Sequence, residues 1–168
     1  MLEVIIAILT ITAFLTGTLQ LMAVNALYKV RAERQAQANF WIQEDFEDVK
    51  AKAASLDLES SHYVSDDVCE NINQGYATAL RRQLTDTALP TTPIPQEKLV
   101  EIKPIVGKNY SLFRTFNIID QADNPHRLRI DYRVELAIGQ IADDYRNQEN
   151  VIARSSVEVI PDASFECR

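Results

Sequence analysis

Cys69 and Cys167 are the two cysteines of the chain, and a disulfide bond or a pair of reactive thiols is the chemistry that they could support. They lie 98 residues apart, and the second is next to the C-terminus, so a bridge would tie down the chain end. In the chain-entropy model, closing such a loop contributes about 4–5 kcal/mol. The alternative is two unpaired thiols, which a cytoplasmic domain would favour.

Other side chains that could do chemistry form no recognisable catalytic or metal-binding motif. His62 and His126 lie in polar surroundings typical of exposed, structural histidines, and the two cysteines lack zinc-site spacing. The stretch 143–149 offers oxygen ligands from Asp143, Asp144, Asn147 and Glu149, but without EF-hand spacing, so solvated acids are expected and calcium binding stays open. We expect no catalytic residue, no cofactor and no metal.

Glu3 is the only charged side chain in residues 1–28, and it precedes an uncharged run of 21 residues, Val4–Val24. As a helix rising ~1.5 Å per residue, that run crosses a hydrocarbon core of ~30 Å. An acid at mid-helix would cost roughly 2.5–3.5 kcal/mol, whereas one at the end costs much less. Taken alone, Glu3 is an interfacial acid on the positive end of the helix dipole.

The run predicts a transmembrane or filament-core helix. A cleaved secretory signal would need a basic start and a shorter apolar stretch, and a soluble core helix would be apolar on one stripe only. Lys29, Arg31 and Arg34 follow the run and nothing basic precedes it, so the positive-inside rule places the C-terminal part in the cytoplasm. A disulfide bond would indicate the opposite side of the membrane.

The string Met-Leu-Glu-Val-Ile-Ile-Ala-Ile-Leu at residues 1–9, followed by Gly17 and by Leu-Gln-Leu at 19–21, resembles the N-terminus of type IV pilins and pseudopilins. It is most similar to PilV-type minor pilins, and the resemblance covers about 30 residues closely. It implies assembly through the N-terminal helix, with Glu3 paired to the N-terminal amine of a neighbouring subunit. It also implies an inner-membrane protein whose periplasmic domain uses a C-terminal disulfide.

In that family prepilin peptidase removes a leader, and the glutamate is the fifth mature residue. Glu3 is third here, so we expect a leader and two mature residues upstream of Met1. A basic leader would hold the N-terminus in the cytoplasm and resolve the conflict over orientation.

The elements that would position these residues follow from periodicity. No Gly or Pro separates Gly17 from Gly75, which predicts one helix of roughly 50 residues. Within 26–56 an apolar stripe recurs at helical spacing, with the acids of 44–48 off the stripe and Phe40 and Trp41 as packing residues. The stripe consists of Ile42, Phe46, Val49, Ala53 and Leu56.

A second helix is predicted from Val68 to Leu84, with an interruption at Gly75 left open, and the breaker-rich stretch 90–95 follows it. Four runs with a period of two then predict strands at 99–106, 110–119, 128–138 and 151–160, the middle two pairing as a hairpin. The expected fold is α+β, a long N-terminal helix packed on a four-stranded antiparallel sheet. We expect a helix at 1–28 and a globular domain at 29–168, divided into 29–56, 57–97, 98–160 and a tail at 161–168.

The charge balance limits the partners. The chain has 24 acidic and 17 basic residues, a net charge of −7, and no basic cluster, so nucleic acid is excluded as a partner. The leading hypothesis is a non-enzymatic minor pilin or pseudopilin whose partners are other such subunits, the inner membrane and prepilin peptidase. The alternative is a single-span membrane-anchored adaptor or sensor with an extracytoplasmic binding domain.

Overall fold

The protein has an α+β fold in which one very long helix extends from a four-stranded antiparallel sheet, as a computed structural model shows. The structure describes residues 2–56, 62–119, 123–144 and 148–167. Helix α1 spans Leu2–Ala54 and α2 spans Tyr76–Thr85. The strands are β1 (Glu97–Ile105), β2 (Lys108–Asn117), β3 (Leu128–Leu136) and β4 (Val151–Val159). Short 3₁₀ turns lie at Ile72–Gln74 and Asp162–Glu166.

Helix α1 has two halves with opposite surroundings. Its first buried residue is Arg34, and from Ala38 onward the apolar stripe faces the sheet. Ile42, Val49 and Leu56 of the predicted stripe are almost completely buried, and Phe46 is half-buried against the same core. The predicted long helix and its apolar stripe are confirmed, because a 3.6-residue period aligns these side chains on one face.

The sheet has the strand order β1-β2-β3-β4, and every neighbouring pair is antiparallel. The predicted β2–β3 hairpin is confirmed, with Tyr110 opposite Leu136 and Asn117 opposite Arg129. A two-residue turn, Val106 and Gly107, joins β1 to β2, and both residues have positive φ, as tight hairpin turns of this kind require. The alternating apolar residues of β3 point into the core under α1.

The predicted second helix is wrong in its first half, because α2 begins only at Tyr76. At Gly75 the chain passes so close to the β2–β3 connection that a Cβ would lie 2.2 Å from the Pro125 carbonyl oxygen. That oxygen accepts a hydrogen bond from Ala77 N–H at 3.0 Å, which satisfies one of the free donors at the helix start. The contact with the sheet layer therefore fixes where α2 begins.

Asp45 is one of the acids that lie off the apolar stripe, and the structure shows that it is not exposed. It is buried, and its two carboxylate oxygens accept hydrogen bonds from Nε and Nη2 of Arg114 on β2 at 2.7 and 2.6 Å. A bidentate pair of this geometry is the form in which charges are tolerated in a core. It attaches the packed half of α1 to β2, an inner strand of the sheet.

Candidate functional site

The N-terminal half of α1 is an apolar surface that the rest of the chain leaves uncovered. Every described residue from Leu2 to Lys29 is exposed, apart from the half-buried Thr18. By length and composition α1 is able to cross a membrane, and among the described residues it is the one helix that is. A hydrophobic surface of this extent needs a partner, either lipid or other helices.

The threonine side chains of this half are satisfied within the helix itself. Thr10 Oγ1 donates to the Ile6 and Ala7 carbonyl oxygens at 3.0 and 2.9 Å. Thr12, Thr16 and Thr18 donate in the same way to carbonyls three or four residues back. Hydroxyls bonded in this way cost little in an apolar environment, so the threonines are compatible with burial in lipid or in a helical bundle.

Glu3 lies in the first turn of α1 and is exposed. Its negative charge there is favourable to the helix dipole. Once the surrounding apolar surface is covered, the carboxylate is left as the sole charge between Leu2 and Tyr28, and a buried charge requires a partner of opposite sign. Glu3 is therefore the candidate residue for a specific contact with another molecule.

Gly17 lies in the middle of the apolar half, and an added Cβ would meet nothing within 4 Å. No contact within the described part of the chain therefore requires a glycine at this position. Small residues on exposed apolar helices allow the backbones of two helices to approach closely.

A cluster of charges joins the end of the apolar half to the sheet domain. The buried Arg34 donates from Nη1 to Asp144 Oδ2 at 2.5 Å and from Nη2 to the Val106 carbonyl oxygen at 3.0 Å. Lys108 Nζ donates to Asp143 Oδ1 at 2.6 Å and lies 3.2 Å from Asp144 Oδ1. The cluster holds the β1–β2 turn and the β3–β4 connection against α1.

The protonation states within this cluster follow from its contacts. Burial alone would raise the pKa of Asp144, but hydrogen bonds from Arg34 and Lys108 outweigh it and hold that pKa below its usual value. The hydrogen bond to Asp143 raises the pKa of the Lys108 ammonium. Asp144 is thus charged and paired at neutral pH.

Asp143 and Asp144 were considered above as ligands for calcium. Their oxygens are occupied by cations of the protein, Asn147 lies outside the described residues, and no group of three or more metal-binding side chains occurs within the described part.

Cys69 and Cys167 are joined by a disulfide bond with a Cα–Cα distance of 5.2 Å, as the sequence analysis favoured. The bond links the turn that precedes α2 to the last described residue of the chain. Disulfides persist in oxidising compartments, so the bond indicates an extracytoplasmic domain.

The remaining candidates have structural surroundings. His62 is exposed and its carbonyl oxygen accepts from Leu89 N–H, whereas His126 is half-buried and Nδ1 accepts from Tyr76 N–H at 3.3 Å. The two adjacent aromatic residues at 40 and 41 of α1 differ: Trp41 is buried in the core, while Phe40 is 67% exposed beside an open groove between α1 and β1. Packing within this domain therefore accounts for Trp41 and not for Phe40.

Comparison with models of known protein families, with curated proteins and with solved structures gives no significant match.

Sequence reasoning missed the Arg34 cluster and the Asp45–Arg114 pair. The available signal was a cation in an otherwise apolar strand, Arg114 within Leu-Phe-Arg-Thr-Phe, because a buried guanidinium demands a carboxylate. Which carboxylate it would be depends on the register of α1 over the sheet, and the sequence does not state that register.

Proposed function

We propose that this chain is a minor pilin or pseudopilin, a non-enzymatic subunit that is held in a membrane by the apolar half of α1 and then assembles into a filament through the same half. The observation that carries the proposal is the continuity of α1. One helix presents an uncovered apolar surface along its first half and packs its second half on a small, disulfide-closed sheet domain.

The division of the helix suits a subunit that changes partners. Lipid and a bundle of neighbouring helices offer the same apolar environment, so transfer from one to the other exchanges equivalent contacts. The Asp45–Arg114 pair and the core below it hold the domain on the helix during that transfer. The resemblance of residues 1–9 and 17–21 to the N-terminus of pilins supports the same assignment.

Glu3 is the residue that we propose to direct assembly. A carboxylate carried into a helical bundle is tolerated only beside a positive charge, and the N-terminal amine of an adjacent subunit would supply that charge. The pairing would fix the axial register of one subunit against the next, because subunits shifted along the axis would leave the charge unpaired.

Replacement of Glu3 tests this role. We expect Glu3→Gln to insert into membranes like the wild-type chain but to be lost from sheared filaments or from the cross-linked periplasmic filament fraction, measured by immunoblot of both fractions. Glu33→Gln is the matched control, since Glu33 is an exposed acid on the same helix beyond the apolar half. Normal incorporation of the Glu3 variant would remove the proposed role and favour an anchored adaptor or sensor.

The native N-terminus provides an independent test. The proposal makes prepilin peptidase, the inner membrane and other pilin subunits the partners, with the sheet domain in the periplasm before assembly. Mass spectrometry of the protein from native membranes should then find a methylated N-terminal residue two positions before Met1 and an intact disulfide. An unprocessed Met1 with two free thiols would contradict both the processing and the proposed side of the membrane.

A further inference from the structure

The connection between β3 and β4 carries two isoleucines that the described part of the chain does not cover. Ile138 is fully exposed and Ile141 is 70% exposed, on either side of Gly139 and Gln140. Ala137, immediately before them, is buried. Isolated apolar residues on a surface are common, but two on one tight loop form a patch.

The loop is built to hold this shape. Gln140 N–H donates to the Ala137 carbonyl oxygen at 3.0 Å, and Gly139 takes the positive φ of 87° that the turn requires. At its base, Ala137 N–H donates to the Asn109 carbonyl oxygen at 3.0 Å, and Lys108 Nζ donates to the Ile141 carbonyl oxygen at 2.5 Å. The isoleucine side chains are therefore presented by a tied turn.

The position of the loop along α1 decides what it can meet. The loop leaves the end of β3 that pairs with the start of β2, beside the Val106 carbonyl that Arg34 binds. Further along the same connection, Gln148 and Glu149 line a small cleft together with Arg31 and Gln35 of α1. The patch thus lies at the end of the domain that faces the apolar half of the helix.

The rise per residue of α1 gives the distance between the patch and the uncharged part of the helix. The uncharged run continues past Val24 to Tyr28, and Arg34 lies six residues beyond Tyr28, which is about 9 Å along the axis. Helical side chains lean toward the N-terminus, so the Arg34 guanidinium and the groups it binds lie nearer still to that run. Apolar groups at an interface bury about 5–10 Å into the boundary between headgroups and acyl chains, and the patch is within reach of that layer.

The charges around the patch suit the same partner. Lys108 and Arg34 neutralise Asp143 and Asp144 at the base of the loop. Lys29 and Arg31, both exposed on α1, follow the uncharged run and would reach the headgroups when that run spans a bilayer. A bilayer that contains anionic lipid attracts such cations.

We propose that Ile138 and Ile141 dock into the surface of the bilayer while the apolar half of α1 spans it, so that the domain rests on the membrane at a fixed angle through two contacts. The inference rests on the membrane-anchored stage of the proposed function. Extraction of the subunit into a filament would then require release of this loop as well as of the helix.

Fluorescence quenching in the full chain tests the docking. Ile138→Cys, labelled with a nitrobenzoxadiazole fluorophore on its single free thiol, is reconstituted into vesicles of phosphatidylethanolamine and phosphatidylglycerol that contain a nitroxide-headgroup lipid. The matched control is Ile119→Cys, an 85% exposed isoleucine just after the opposite end of β2. We expect a blue-shifted emission and about twofold or stronger quenching at 138 relative to 119, since only the first site enters the interfacial layer.

A second replacement and a third label separate the possible outcomes. Ile141→Asp in the chain labelled at 138 should remove most of the extra quenching. A label at Leu15→Cys reports whether α1 is embedded, through the blue shift of its emission, because this position lies too deep for the headgroup quencher. A blue shift at 15 with equal signals at 138 and 119 would overturn the docking and leave the proposed function intact. Emission at 15 typical of a label in water would overturn both the docking and the membrane-anchored stage.

Discussion

The contact between Asp45 and Arg114 is the strongest polar link between α1 and the sheet. Both side chains are buried, the guanidinium is bound by two carboxylate oxygens, and Asp48 Oδ2 lies 3.6 Å from Nη2. Burial lowers the pKa of a guanidinium, but hydrogen bonding and attraction to Asp45 outweigh it and raise the pKa of Arg114, so the guanidinium stays charged. Such a pair adds less to stability than its geometry suggests, because both ions lose their hydration.

We therefore expect Arg114→Met and the double replacement Asp45→Leu with Arg114→Met to behave differently. The single change leaves a buried carboxylate without a cation and should lower the free energy of unfolding by about 3–5 kcal/mol. The double change removes both charges and should recover most of that loss, measured by urea unfolding of the full chain in detergent. A single variant as stable as wild type would mean that water or another group compensates Asp45.

His126 should make the stability of the domain depend on pH. Its Nδ1 accepts from Tyr76 N–H at the start of α2, and burial lowers its pKa below 6.5. A histidine whose pKa is lowered by folding binds more protons in the unfolded state, so its contribution to stability is complete above about pH 6.5 and is lost as the pH falls through the lower, folded pKa.

The comparison of unfolding free energies at pH 7.5 and pH 5 isolates this contribution. His126→Asn keeps an oxygen acceptor for Tyr76 N–H but does not titrate, so it should lose less stability than wild type on acidification. His62→Asn is the matched control, because it replaces an exposed histidine that does not take part in the contact with Tyr76. Equal acid sensitivity of wild type and the His126 variant would show that other groups dominate.

At the scale of elements, Gly75 is where α2 meets the sheet layer. A Cβ at this position would lie 2.2 Å from Pro125 O and 2.7 Å from the Pro125 carbonyl carbon, and backbone atoms cannot move away cheaply. We expect Gly75→Ala to destabilise the domain by about 1–3 kcal/mol, as overpacking does, measured by thermal unfolding. Gly17→Ala is the matched control, because nothing lies within 4 Å of that position and it is outside the core, so it should leave the unfolding temperature of the domain unchanged. Equal effects at both sites would contradict the contact.

Periodicity predicted the elements in which one face packs against a single surface, because burial of one face sets a regular spacing of apolar residues. The stripe from Ile42 to Leu56 and the alternation of Leu128, Ile130, Tyr132 and Val134 each record one buried face, and both are present. The start of α2 could not be read in this way, because it depends on Pro125, 50 positions away in sequence. The burial of Asp45 could not be read from the sequence for the same reason, since its partner Arg114 lies 69 residues away.

At the scale of the whole molecule, the two halves of α1 have separate energetic roles. The apolar core of buried residues draws on α1 only from Ala38 onward, and the tether between helix and loops begins at Arg34. The contacts that hold the sheet domain together therefore do not involve residues 2–28. The apolar half instead lowers solubility and favours association, because its uncovered surface is unfavourable in water.

A fragment spanning 29–168 should consequently fold as a soluble monomer that retains the Cys69–Cys167 bond, because it keeps the whole buried core and the Arg34 cluster. Its unfolding temperature should match that of the full chain in detergent within about 4 °C, the shift expected for a change of about 1 kcal/mol in a domain of this size. Arg34→Ala in the same fragment is a sensitive comparison, since it frees the β1–β2 turn and leaves Asp144 with Lys108 alone. Aggregation of the unmodified 29–168 fragment, or an unfolding temperature well below that of the full chain, would show that residues 2–28 support the domain directly. The division of α1 into an assembly half and a domain half would then have to be abandoned.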